Sequence, residues 1–145
     1  MDNPNERDID QLNSYLKGER SAVETYDQAI DKMDDHGVRV QLQQLRDSHQ
    51  QRVQKLVQRI SMLGGEPADD SGVWGAFAKL VEGGAKIFGK SAAIATLEEG
   101  EDHGKKDYAR DIDKLSPSTR QFVQSELVPE QMRTHDAMSA LKKMS

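Results

Sequence analysis

The chain has no cysteine, which excludes disulfides and thiolate metal ligands and leaves the redox compartment open. Aromatic residues make up only 5% of it and hydrophobic residues 35%, against 31% charged. That balance fits an all-α bundle with charged outer faces better than a β-sandwich. No apolar run approaches the length of a membrane span. The formal net charge is −5, with both signs mixed along the chain. Without a basic tract or stripe, nucleic acid is not an expected partner. Nucleophilic catalysis has no footing, since Gly-x-Ser-x-Gly is missing as well as cysteine. The run EGGAKIFGKS ends in Gly-Lys-Ser, but the strand that should precede a phosphate-binding loop is absent. The opening MDNPNERDID is acidic and polar, the reverse of a signal peptide. The expectation is a soluble, cytoplasmic protein, with residues 1–145 forming one domain with a real core.

What is present is helical periodicity. Ile9, Leu12, Leu16, Glu19, Val23, Tyr26, Ile30 and Met33 are spaced alternately three and four apart, the stripe of a helix that buries one face. This predicts a first helix from about Asn5 to Asp35, stopped by Gly37 in DDHGV. Val38, Leu42, Leu45, His49, Val53, Leu56, Ile60 and Leu63 form a second stripe, ended by Gly64-Gly65. Two long helices joined by so short a turn lie antiparallel. A crossover over about 64–91 follows, carrying a short amphipathic helix with Trp74, Phe77, Val81, Ala85 and Phe88 on one face. It reads either as a strap over the bundle or as a docking face for an unknown protein partner around Trp74 and Phe77. A third helix is expected over about Ala92 to Lys114. A fourth starts at Ser116-Pro117 and runs to about Lys143, with Pro129 kinking or splitting it near Leu127-Val128. Past the kink its inner face is expected to be Met132, His135, Met138 and Leu141.

Each stripe contains one titratable intruder: Glu19, His49, Glu101 and His135. A carboxylate in an apolar seam costs several kcal/mol unless paired, of the order given for buried charges. All four lie near mid-helix, so an antiparallel bundle brings them to one level, where two carboxylates and two imidazoles make an oxygen/nitrogen metal site. The halves also echo each other. GERSAVETY puts Tyr26 seven residues after Glu19, and GEDHGKKDY puts Tyr108 seven after Glu101. Such repeats build symmetric sites between halves.

LNSYLKGERSAVETY, with its L-N-x-x-L-x-x-E-x-x-A-x-x-x-Y pattern, resembles the first helix of the ferritin-like superfamily, as in bacterioferritins. The GExxAVxxY core is similar to that of the demethoxyubiquinone hydroxylases. Over nearly the whole chain, including LGGEP and LEEGED, it resembles the small uncharacterised bacterial ferritin-like four-helix-bundle proteins, a domain-of-unknown-function family. The resemblance implies metal ligands at Glu19, His49, Glu101 and His135, with Tyr26 and Tyr108 supporting the carboxylates. It also implies iron, or equally manganese or zinc, and a homodimer joined through bundle faces. A stress-related or metal-handling role would follow.

Di-iron members carry Glu-x-x-His on helices two and four. Here Arg46 stands three before His49 and Met132 three before His135, so both bridging glutamates are missing and the site is degenerate. Three readings remain open. The first is a metal-binding protein short of a full di-iron oxidase. The second is a metal-free structural or interaction bundle in which Arg46 pairs with Glu19 or Glu101 in a buried polar network. The third is an oxidase or hydroxylase with an unusual site. Enzyme activity is left undecided. His103, Glu24, Asp47, Glu98 and Asp102 read as outer-face residues, and His36 as a solvated residue of the DDHG turn.

Overall fold

Helix α1 (Pro4–Lys32) buries Leu12, Leu16, Val23, Tyr26 and Ala29, the face its spacing marks out. The computed structural model describes residues 4–70 and 89–144 of the chain. α1 ends before Met33, whose N–H turns back to the Ile30 carbonyl. α2 (His36–Met62) starts at once because the Asp35 carboxylate accepts from the Val38 N–H at 3.1 Å, an N-cap made by a short acidic side chain. Gly37 is therefore the second residue of α2 and not the breaker that DDHGV suggested; the cap decides the boundary.

The other end of α2 closes as expected. Gly64 adopts φ 86°, its N–H bonding to the Ser61 carbonyl at 3.0 Å while that of Gly65 reaches Ile60 at 2.9 Å. This is a Schellman cap, and the left-handed backbone at Gly64 is one that a Cβ would strain. Gly65 is small for another reason. A Cβ there would lie 2.6 Å from the Ile9 side chain, so the glycine lets the end of α2 sit against the start of α1. The chain beyond is fastened to α1 by Asn13, which bonds the Glu66 carbonyl and the Ala68 N–H, and by Arg20, which bonds the Ala68 carbonyl.

α3 (Lys90–Asp111) runs into a 3₁₀ turn (Ile112–Lys114). The fourth helix, residues 117–144, consists of α4 (Pro117–Phe122), a π-helical segment (Val123–Leu127) and α5 (Val128–Met144). The break expected near Leu127-Val128 takes the form of this π segment, closed by the Val128 N–H on the Val123 carbonyl. A widened turn just ahead of Pro129 eases the clash that a proline ring makes with the carbonyl four residues back, and the helix continues. Its start is capped from α1: the Asp8 carboxylate accepts from the Ser116 N–H at 3.0 Å, the Thr119 hydroxyl at 2.7 Å and the Ser116 hydroxyl.

Cross-helix pairs fix the topology. Ile9–Gly65 and Asp27–Arg46 set α1 antiparallel to α2; Gln11–Asp111 and Tyr26–Glu101 set α1 antiparallel to α3. Glu98–Lys142 and Asp102–His135 set α3 antiparallel to α5. α2 and α3 are thus parallel, each antiparallel to α1. The sequence-expected amphipathic face at Trp74 and Phe77 lies outside the described residues. Among the described residues, no helix is long and apolar enough to cross a membrane.

The core has two apolar clusters. One gathers Leu12, Leu16, Leu56, Ile60, Val123 and Leu127; the other gathers Tyr26, Leu42, Ile94, Leu97, Met138 and Leu141. Burying each aliphatic side chain contributes about 1.5–3 kcal/mol. Between the two clusters lies one polar layer.

Candidate functional site

The layer is built by residues that α1, α2, α3 and α5 aim inward at mid-bundle: Glu19, His49, Arg52, Glu101, Gln131 and Thr134, all 4% exposed or less. His49 sits between the two carboxylates. Its Nδ1 is 3.1 Å from Glu19 Oε2 and its Nε2 is 2.8 Å from Glu101 Oε2. With an acceptor at each ring nitrogen, the ring satisfies both by carrying two protons, as an imidazolium. Burial and the Arg52 charge push the His49 pKa down, and Glu101 and Glu19 outweigh them, leaving it raised.

Glu101 is saturated. Its Oε1 accepts from Gln131 Nε2 and from the Thr134 hydroxyl, both at 2.9 Å. Its Oε2 accepts from the Tyr26 hydroxyl at 2.5 Å and from His49. Four donors fill the lone-pair positions of one carboxylate. Burial raises its pKa, but the His49 charge and hydrogen bond, the Tyr26 hydrogen bond and the Arg52 charge bring it down to about 2.

Arg52 completes the layer. Its Nε is 3.2 Å from Glu19 Oε2, and its terminal nitrogens donate to Gln131 Oε1 at 2.6 Å and Thr134 Oγ1 at 3.0 Å. Two carboxylates thus face one imidazolium and one guanidinium, and the formal charges cancel. Ser48 extends the tie from α2 to α5 by donating to Glu130 at 3.0 Å.

Glu19, His49 and Glu101 meet in this layer, and His135 stands apart. Its side chain is 15% exposed and bonds Asp102 at 2.5 Å and Asp136 at 3.2 Å. The physical reason is phase. From the end of the π segment onward, the buried positions of the fourth helix are Leu127, Gln131, Thr134, Met138 and Leu141, a stripe whose centre lies about 80° from His135 at 100° per residue. Met132, expected on the inner face, is 51% exposed. The four-three-four-three spacing of that stripe was the available signal for Gln131 and Thr134. Arg46 is also displaced from its expected role, since it pairs with Asp27 and Asp47 on the surface. Arg52 is the buried guanidinium instead. It lies beside the stripe residue Val53, and its long side chain reaches inward from the flank. His103 pairs with Asp107 on its own helix.

The Glu-Tyr echo holds on one side. Tyr26 donates across to Glu101, whereas the Tyr108 hydroxyl is buried without a hydrogen-bond partner among the described residues, its ring 4.6 Å from that of Tyr15. Burial and the Glu19 charge raise the Tyr108 pKa well above the ordinary value.

An antiparallel four-helix bundle with parallel second and third helices is the ferritin-like fold. Residues 7–114 match the family described as "Domain of unknown function (DUF2383)", and the chain belongs to that family. The fold is similar to that of a crystal structure described as ferritin like, diiron-carboxylate proteins from Bacillus anthracis str. Ames. Identity is 15%, the TM-score is 0.67, and the match covers 99% of this chain and 96% of that one. No curated protein matches the chain.

A pair of metal ions of the kind that name implies does not fit the donor set here. A ligating imidazole needs a bare nitrogen lone pair, and both His49 nitrogens face carboxylates. The Glu101 oxygens are taken, and a fixed positive charge abuts Glu19. Among the described residues, no group of three or more His, Asp or Glu side chains is arranged to hold a metal ion.

Proposed function

We propose that this protein is a metal-independent ferritin-like bundle, acting as a structural or protein-interaction module rather than as a di-iron oxidase. Its central charged layer ties the four helices in register. The observation that carries this reading is saturation: both His49 nitrogens and both Glu101 oxygens are engaged with protein partners. A buried charge is tolerable only when paired and hydrogen-bonded, and here each cation has its anion and each anion its donors. A network of this kind favours one helix register over its neighbours, because a slip would strand a charge in the core.

The same residues invite the competing reading of an iron, manganese or zinc site made by Glu19, His49, Glu101 and His135. That site would require His49 to give up a carboxylate and His135 to leave Asp102.

The test is metal content per chain by plasma mass spectrometry, on untagged protein purified without chelator. It is paired with the melting temperature with and without chelator. We expect no stoichiometric metal, even after incubation with ferrous iron, manganese or zinc, and a melting temperature indifferent to chelator. Near-stoichiometric metal that disappears in Glu19→Ala would overturn the reading in favour of a metalloprotein.

A further inference from the structure

The six inward-facing positions of the polar layer have a spacing of their own. Glu19 comes from α1 and Glu101 from α3; α2 supplies His49 and Arg52, three apart, and α5 supplies Gln131 and Thr134, also three apart. Carboxylate-bridged di-metal bundles use one Glu from each of two helices and Glu-x-x-His, at i and i+3, from each of the other two. The frame is the same and the occupants differ. Where that motif would place Glu and His on the second helix, this chain has two cations. Where it would place them on the fourth, it has two neutral hydrogen-bonding groups.

We propose that the His49 imidazolium and the Arg52 guanidinium stand in for the two metal ions of such a frame, so that the chain supplies its own cations. This rests on the metal-independent reading above. The charge arithmetic supports it. Four carboxylates around two divalent ions balance four charges against four; two carboxylates around two monovalent side chains balance two against two. Both layers are neutral, at full and at half magnitude. The contacts agree, since His49 bridges Glu19 and Glu101 as a shared ion would, at 3.1 and 2.8 Å. Arg52 touches Glu19 directly and reaches Glu101 through its own contacts with Gln131 and Thr134. Neutral Gln131 and Thr134 follow from the same balance, because a glutamate in place of Gln131 would add a third anion with no cation to meet it.

A side chain that replaces an ion should be replaceable by one. Arg52→His exchanges the fixed cation for a side chain able to ligate and leaves the layer one positive charge short. Cobalt(II) is the probe, read by melting temperature and visible absorption. Wild-type protein should not respond to it. Arg52→His should melt below wild type in chelator, then gain roughly 5–10 °C with cobalt at a hundredfold excess over its Kd. A ligand-field band should appear together with the gain.

A folded Arg52→His protein that shows neither band nor stabilisation would overturn the proposal while leaving the metal-independent reading intact. If Arg52→His does not fold even with cobalt, the decision passes to the fourfold variant H49E/R52H/Q131E/T134H, which restores Glu-x-x-His on both helices. That variant should refold with cobalt and hold about two ions per chain, and its failure to do so would sink the idea. Metal carried by the wild-type protein would overturn both readings, and it is measured on a different sample.

Discussion

Gln131 grips Glu101 at two points: one amide nitrogen donates to the side-chain oxygen at 2.9 Å and to the backbone carbonyl at 3.0 Å. The amide oxygen of the same residue accepts from Arg52 at 2.6 Å, so Gln131 couples the guanidinium to the carboxylate. α3 makes room for it with a glycine. A Cβ at Gly104 would lie 3.1–3.3 Å from the oxygen, nitrogen and Cδ of the Gln131 amide.

Gly104→Ala should therefore destabilise the bundle by about 1 kcal/mol or more, although alanine is the better helix former by a similar amount. Gln131 is pinned on both sides and has nowhere to retreat. Gln131→Leu should cost about 2–3 kcal/mol, because it strands a buried guanidinium N–H and removes donors from Glu101. Urea unfolding checks both; a stabilised Gly104→Ala would mean that the amide moves freely.

The two arginines should behave oppositely. Arg52→Met removes the buried partner of Glu19 and should cost about 3–5 kcal/mol. Arg46→Met breaks only surface pairs with Asp27 and Asp47 and should cost under about 1 kcal/mol. Paired thermal and urea denaturation of the two variants separates them, and equal losses would contradict the placement of the buried charge.

Stability should pass through a plateau between pH 4.5 and 6.5, the ordinary Glu and His values. Glu101 has a folded pKa of about 2, below its unfolded value, so its contribution is present above 4.5 and lost as pH falls towards 2. Asp8 acts in the same direction. Burial pushes its carboxyl up, but the Ser116 and Thr119 hydrogen bonds leave it lowered, so its contribution too is lost in acid. His49 is raised on folding, so its contribution is complete below 6.5 and fades as pH climbs through the folded value. Urea midpoints from pH 2.5 to 9 trace both limbs. His49→Gln should flatten most of the alkaline limb. His135→Gln should remove less of it, because its pairs with Asp102 and Asp136 are partly exposed.

The sequence by itself determined the order of the four long helices among the described residues, because a three-four apolar repeat is a local property of each segment and glycine, proline and short polar caps mark most of its ends. It also determined that Glu19, His49 and Glu101 occur at buried stripe positions near mid-helix, since periodicity alone assigns a residue to a face. Tertiary structure decided the partners. Which arginine reaches the layer depends on what faces each flank of the stripe: Arg52 meets Glu19, Gln131 and Thr134 inside the bundle, while Arg46 meets Asp27 and Asp47 at the surface. The phase of the fourth helix was likewise settled only in three dimensions. A π segment shifts every later residue around the axis, and its occurrence answers to Pro129 and to packing against α3. That shift brings Leu127, Gln131 and Thr134 into line with the buried Thr119, Phe122 and Val123, and so sets Gln131 and Thr134 beside Glu101. With them it decides whether a carboxylate layer that looks like a metal site meets ions from solution or cations from its own chain.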